Sequence, residues 1–540
     1  EGEVEGEPEG EVEGEAEGEV EGEGEGEFPL FAPPEVLNTN AATDSGDDYR
    51  ARLDTDGSGR FIAVWRSNDT LGGTTTAINH IFKARSEDYG ETWSAPSLLC
   101  AMPDDMYCSN PFIASDRAGN WMVLWSTTLG SDHNLCMSRS GDNGITWTDP
   151  SIVDDGDTGS IYTYYSIATD RAGRWAAVWI TSATALHDYY LRSSVSSDDG
   201  ATWSPPIVLD SNASTHDGSL NWPGIVMDTA GNGVIIWQKT TSDTNGVFSL
   251  NRVVSDDSGA TWSAADEIDT QAPYGIYQYH LATDHAGLWV MVWQRSNEAI
   301  GYLADLEFVT SGDKGTTWSA PLSVHTHLSG DTLSDMYPHV ISAGSGRWLI
   351  AWQGQRGSGD ADIYYSLSGD NAAAWTTTEA LNTNAGSDVG NDLYPAGACD
   401  ALGNVVVAWT SMDSLGGTIG TDANILFARS IPVPVEGEGE TPVEGEGEPP
   451  VEGEGETPVE GEGEAPVEGE GEIPVEGEGE PPTEGEGELV PITTLFNTGV
   501  DNSGMILADN TTDPHYRLKL SADPTWVGPA TYASGDVPAA

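Results

Sequence analysis

Seven hairpin signatures ending in tryptophan, a second turn motif in register with them, and an opening segment that matches the close of the sixth repeat predict an all-β fold. The architecture they imply is a seven-bladed β-propeller closed by an N-terminal strand. The hairpin unit is an apolar-alternating run, a D-x-x-G turn, and a second strand ending in Trp. It occurs at Asp56-Gly59-Trp65, Asp116-Gly119-Trp125, Asp170-Gly173-Trp179, Asp228-Gly231-Trp237, Asp284-Gly287-Trp293, Gly344-Gly346-Trp352 and Asp400-Gly403-Trp409. In every copy the last turn glycine lies six residues before the Trp, and the tryptophans recur about every 57 residues.

The second unit reads S-x-D-x-G-x-T-W. Its copies are Ser86-Asp88-Gly90-Thr92-Trp93, Ser140-Asp142-Gly144-Thr146-Trp147, Ser196-Asp198-Gly200-Thr202-Trp203, Ser255-Asp257-Gly259-Thr261-Trp262 and Ser311-Asp313-Gly315-Thr317-Trp318. A sixth, Ser368-Asp370-Ala372-Ala374-Trp375, has lost the Gly and the Thr. These residue types suit a folded turn: Asp accepts backbone N–H groups of its own loop, Gly supplies positive φ, and Trp anchors the turn in the blade. The unit resembles the Asp-box, or BNR repeat, of the sialidase superfamily. That resemblance implies a turn between the third and fourth strands of a blade, on the outer rim and away from the ligand face. Asp88, Asp142, Asp198, Asp257, Asp313 and Asp370 are therefore expected to be structural.

Seven hairpins against six Asp-boxes leave the last blade one strand short. The segment P-E-V-L-N-T-N at Pro34–Asn40 matches T-E-A-L-N-T-N at Thr378–Asn384, the expected fourth strand of blade six and its exit. The N-terminal strand is thus expected to complete blade seven, whereas a six-bladed ring would leave one hairpin unaccounted for. Trp121, Trp175, Trp289 and Trp348 each lie four residues before a strand-ending Trp, on the same strand face, and read as packing residues between blades.

Outside the propeller, expected at 29–433, composition changes sharply. Residues 1–28 alternate Glu with Gly or another small residue, and 434–488 repeat V-E-G-E-G-E-x-P; the two runs hold 35 of the 88 acidic residues. With little apolar surface and dense like charge, both are expected to be disordered spacers that take up no fixed cation. Residues 489–540 regain apolar alternation and read as the start of a second, truncated β-sandwich module. A net charge of −68, with few Lys or Arg even in the propeller, excludes nucleic acid and anionic membranes as partners. No apolar run reaches the length of a membrane span. The chain reads as a fragment of a secreted or cell-surface bacterial protein whose signal sequence is missing. Cys100 and Cys108 flank a short loop and could bridge or remain thiols. No spacing of Cys, His or acidic residues indicates a metal, and no fingerprint indicates a cofactor.

Setting the hairpins in register exposes a candidate ligand face. Nine residues before the last turn glycine stand Arg50, Asn110, Tyr164, Trp222, Gln278, Tyr337 and Tyr394, and two residues further His280 and His339 match in adjacent blades. Arg50, Tyr164, Trp222, His280, Arg295, Tyr337, His339, Arg356 and Tyr394 are the candidate substrate-binding residues, as a shallow aromatic and polar site for a sugar or peptide. The same Tyr and X-Pro residues also suit the starts of strands. Sialidases hold a substrate carboxylate with three arginines and use a Tyr–Glu nucleophile with an Asp acid. Their Arg-Ile-Pro motif is absent here, and Arg50, Arg66, Arg295, Arg356 and Glu298 do not reproduce that arrangement, so no catalytic role is transferred. The sequence favours a monomeric, non-catalytic module binding a glycan or surface protein, with a sialidase-type glycoside hydrolase as the alternative.

Overall fold

Each apolar-alternating run becomes a strand, and each D-x-x-G segment becomes the turn that reverses it. In blade 1, Asp48–Thr55 pairs antiparallel with Phe61–Ser67, and Asp56 Oδ1 accepts the N–H groups of Ser58 (2.8 Å) and Arg60 (3.2 Å). The computed structural model describes residues 30–431 except 72–78, 101–106, 130–131, 155–159, 184–187, 213, 216–217, 242–246, 270–275, 298–302, 325–333, 356–359 and 387–389, together with 505–506 and 519–520. Two units divide the chain, Glu1–Thr441 and Pro442–Ala540. In the second, the described residues form one short pairing, Met505–Ile506 with Lys519–Leu520, inside the segment expected to begin a β-sandwich. The two acidic runs lie outside the described residues. No described helix is long and apolar enough to cross a membrane.

The first unit is a seven-bladed propeller. Its blades are antiparallel sheets whose innermost strands are Asp48–Thr55, Tyr107–Ser115, Ser160–Thr169, Ser219–Met227, Ile276–Thr283, Ser334–Gly344 and Asp392–Cys399. These strands pack on one another in a closed circle, the seventh against the first. Closure is made by the N-terminus, as the Pro34–Asn40 match predicted: Glu35 and Val36 pair with Phe427 and Leu426, and Leu30–Phe31 pairs with Ile431 and Ser430. Asn38 then fastens the joint. Its Nδ2 donates to Asp48 Oδ2 (2.7 Å) and Asn424 Oδ1 (2.9 Å), while its Oδ1 accepts the Ile425 N–H (3.0 Å). Asn382 repeats this clasp in blade 6, donating to Asp392 (2.7 Å) and Asp362 (2.9 Å) and accepting from Ile363 (3.0 Å).

The core lies between blades. The seven strand-ending tryptophans are all 0% exposed, and Trp121, Trp175, Trp289 and Trp348 are no more than 1% exposed. Burial of that much aromatic surface is the main force holding sheet to sheet. Four of the strand-ending indoles also donate N–H to a carboxylate: Trp65 to Asp48, Trp179 to Asp154, Trp237 to Asp210 and Trp352 to Asp335. Cys108, Cys136 and Cys399 are buried; the side chain of Cys100 lies outside the described residues, and with it the bridge considered for Cys100 and Cys108.

The Asp-boxes connect third to fourth strands on the outer side of six blades. In blade 1, Ser86 Oγ donates to Asp88 Oδ1 (2.8 Å) and accepts the Gly90 N–H (3.0 Å); Asp88 also accepts Thr92 N–H (2.9 Å) and Oγ1–H (2.5 Å). These bonds hold the box carboxylates down: the Thr146 hydroxyl and N–H put Asp142 at about 2. The box glycines have positive φ, and a Cβ on Gly144, Gly200 or Gly315 would overlap Ile62, Met122 or Val234 of the preceding blade. The box is therefore also a joint between neighbours. Blade 6 carries Ala372 at this place with φ of 61°, a conformation in which a Cβ is strained. Ala372→Gly is expected to stabilise the propeller by about 0.5–1 kcal/mol. Urea denaturation should show it as a higher midpoint at unchanged slope.

Candidate functional site

The innermost strands share a defect in their pairing. Each shifts register part-way along, between Tyr49 and Arg52, Ser109 and Phe112, Ile161 and Tyr165, Asn221 and Gly224, Tyr277 and Tyr279, Met336 and His339, and Leu393 and Ala396. Bulges of this kind re-aim a side chain. The re-aimed residues are Arg50, Asn110, Tyr164, Trp222, Gln278, Tyr337 and Tyr394, and all seven line one central cavity of about 1170 Å³. Six have positive φ: Arg50 56°, Asn110 50°, Trp222 46°, Gln278 39°, Tyr337 53° and Tyr394 59°. For side chains of this size the left-handed region costs roughly 1–2 kcal/mol each, which glycine would avoid. None of the seven is glycine.

Bonds between blades hold these bulges. The Tyr165 hydroxyl lies 2.5 Å from the Asn110 carbonyl and accepts the Ser126 N–H (2.8 Å). Tyr279 bonds the Trp222 carbonyl in the same manner, and Arg50 N–H donates to Thr410 Oγ1 (2.9 Å). The ring side chains also contact one another. Arg50 lies over the Tyr394 ring at 4.6 Å, Tyr337 meets Tyr394 edge to face at 4.6 Å, and Tyr164 meets Trp222 at 5.6 Å.

Two residues deeper, a second tier lines the throat: Arg52, Phe112, Ser166, Gly224, His280 and His339. The His280 and His339 rings stack with centroids 3.7 Å apart. Arg52 lies over Phe112 at 5.4 Å and donates to the Ala51 carbonyl (3.1 Å). Burial, and then the charge of Arg50, push its pKa down to about 10, so it stays charged at neutral pH. Arg66 completes a set of three guanidiniums around the mouth and lies over Tyr49 at 5.1 Å. Among the described residues no carboxylate pairs with Arg50, Arg52 or Arg66. The carboxylates lining the cavity, Asp54, Asp284 and Asp400, belong to the opposite end, at or beside the D-x-x-G turns. Asp54 accepts the Thr55 (2.8 Å) and Ser115 (2.7 Å) N–H groups there, and its pKa is raised by burial against the pull of Arg117 and Arg171.

Seven of the nine residues singled out in the sequence thus come together: Arg50, Tyr164, Trp222, His280, Tyr337, His339 and Tyr394. Arg295 does not line the cavity. It forms an ion pair with Glu307 (2.5 Å) on the next strand of its own blade and lies 5.7 Å from the Trp293 ring. Arg356 and Glu298 lie outside the described residues. None of the six Asp-box aspartates lines the cavity. Sequence reasoning missed Arg52, although it occupies the register position that drew attention to His280 and His339. No described group of three His, Cys, Asp or Glu is placed to hold a metal.

Fold and repeats together define a seven-bladed β-propeller with Asp-box turns. Residues 53–216 match the family described as BNR repeat-like domain, which bears out the resemblance read from the repeats. No curated protein matches the chain in sequence. Among solved structures, a protein of unknown function from Dyadobacter fermentans is 13% identical, with 74% of this chain and 98% of that chain covered and a TM-score of 0.46. The NanB sialidase from Streptococcus pneumoniae is 14% identical, covering 75% and 71%, with a TM-score of 0.40. The α-L-arabinanase of Penicillium chrysogenum is 13% identical, covering 60% and 92%, with a TM-score of 0.41. At this degree of likeness the neighbours inform neither the activity nor the ligand of this chain.

Proposed function

We propose that this propeller is an extracellular or surface module that binds a carboxylate-bearing glycan at the ring mouth. The observation that carries the reading is the set Arg50, Arg52 and Arg66, gathered at the end of the cavity away from its lining carboxylates and with no described ion-pair partner, in a chain of net charge −68. A buried guanidinium is costly without a partner, and its fork geometry suits a carboxylate. Trp222, Tyr164 and Tyr394 supply flat faces for a pyranose ring. Binding to paired acidic and neutral oligosaccharides, measured by calorimetry on the full chain, tests this. Acidic sugars should bind and their neutral analogues should bind far more weakly. Arg52→Gln is expected to weaken acidic-sugar binding by about 2–3 kcal/mol, or about 30- to 150-fold. Equal affinity for acidic and neutral sugars would refute it.

The sialidase-type hydrolase is the second reading, favoured by the same three arginines. It requires a Tyr–Glu pair beside them. The described pair of that kind, Tyr365 hydroxyl to Glu379 Oε2 at 2.7 Å, sits on the outer strands of blade 6 and does not line the cavity. Turnover of a fluorogenic sialoside would establish this alternative.

A further inference from the structure

The paired imidazoles of the throat offer more than contact area. His339 Nε2 is 3.0 Å from the Gly397 carbonyl, so that nitrogen carries the proton and Nδ1 keeps its lone pair. His280 is fixed the other way: its Nδ1 accepts the Val340 N–H (3.3 Å), so Nε2 carries the proton. The pair therefore presents one proton acceptor and one proton donor on rings 3.7 Å apart, in the cavity tier that also contains Arg52. Burial first, then the Arg52 charge, push His280 down to about 3, and His339 is likewise held well below its usual range. Both imidazoles are neutral across the physiological range.

An acceptor and a donor on adjacent rings match two vicinal positions of a sugar, and an arginine in the same tier matches a carboxylate attached to one of them. We propose that the throat carries out a syn β-elimination on a 4-linked hexuronate chain. This rests on the carboxylate-glycan reading above. His339 Nδ1 takes the proton from C5, which the carboxylate ion-paired to Arg52 acidifies by spreading the developing charge. The C5 electron pair forms the C4=C5 double bond, and the C4–O4 bond breaks. His280 Nε2–H gives its proton to O4, which leaves as the anomeric hydroxyl of the neighbouring sugar. The proton passed to His339 and the one lost by His280 re-equilibrate with solvent. No water, metal or oxidant is consumed.

The test is incubation of the full chain with 4-linked polyglucuronate and polymannuronate, whose C5–H and C4–O4 bonds share a ring face as a syn elimination requires, following the ultraviolet absorbance of the unsaturated product. Absorbance should rise with at least one polymer, at a rate without an inflection near the ordinary histidine pKa. His339→Gln and His280→Gln should each lower the rate about 100-fold or more while leaving the dissociation constant of an oligouronate within a few-fold. His280→Gln should lose much less on a uronate carrying nitrophenol at O4, because that leaving group needs no proton. Circular dichroism melting establishes that both variants fold. Binding of the polymers without product overturns the elimination and leaves the binding reading standing, whereas absence of binding overturns both. An unchanged rate in folded His339→Gln also overturns it.

Discussion

Replacing Asn38 with alanine is expected to destabilise the propeller by about 3–5 kcal/mol, the larger effect because it strikes the one joint that closes the ring. The side chain is 0% exposed and faces Asp48 at 1% and Asn424 at 0%. Alanine would remove both Nδ2 donors and the acceptor of the Ile425 N–H, leaving a buried carboxylate short of a partner. Blade 7 depends on that contact to retain its N-terminal strands, whose described pairing is short: Leu30, Phe31, Glu35 and Val36, with the Ala32 and Leu37 N–H groups bonding the Arg429 and Ile425 carbonyls. Guanidinium denaturation should show the loss, and amide exchange of residues 30–40 should accelerate more than that of any other blade edge. Asn382→Ala is the matched control. It removes the same bonds from blade 6, but that fourth strand is continuous with its own blade, so exchange there should rise only locally. An Asn38→Ala protein that melts with the wild type would show that strand pairing alone closes the ring.

The second expectation concerns acid. Asp44 sits beside the clasp, and its pKa is raised to about 7, first by burial and then by the charges of Asp422 and Asp69. Asp422 and the fully buried Asp48 are raised as well. A carboxyl whose folded pKa exceeds its unfolded value stabilises the fold below the unfolded pKa, and that contribution is lost as pH rises through the folded one. The propeller is therefore expected to lose stability between about pH 4 and pH 7 from this corner. Asp44→Asn removes the charge and should make the protein more stable at pH 8 by about 1–2 kcal/mol, a value reduced for the partial exposure of the site, while matching the wild type at pH 4. Denaturation midpoints at the two pH values check this. A variant that is less stable at pH 8 would mean the Asp44 carboxylate is needed in its charged form.

Much of the fold was legible because its determinants are local or repeated. The D-x-x-G turn, the Asp-box and the strand-ending Trp each fix a conformation or a buried contact by their own chemistry, and repetition converts them into a blade count. The closing strand was legible because Leu37–Asn40 does the same work as Leu381–Asn384 and has kept the same residues. The ring was legible in position only. Counting back from the turn glycine finds Arg50 or Trp222, but nothing in those residue types announces a positive φ, since the bonds that enforce it come from other blades.

Arg50 and Arg66 line the cavity as their positions suggested, and Arg295 does not, for a plainer reason. Arg66 follows Trp65 by one residue and faces the other way, toward the cavity. Arg295 follows Trp293 by two, which returns it to the Trp face, where Glu307 lies on the paired strand. Arg52 was overlooked because a single arginine in an alternating strand reads as a solvated position. Only the closed circle of strands turns that face inward.

The bulged ring has a consequence for how such a protein diversifies. Because the seven mouth residues are turned out of the strand ladders, exchanging one leaves the pairing on either side untouched. The mouth can therefore be rewritten one blade at a time, giving a recognition alphabet of seven letters on a frame that does not read them. A library confined to those positions should yield folded variants with new ligands far more often than one spread along the strands.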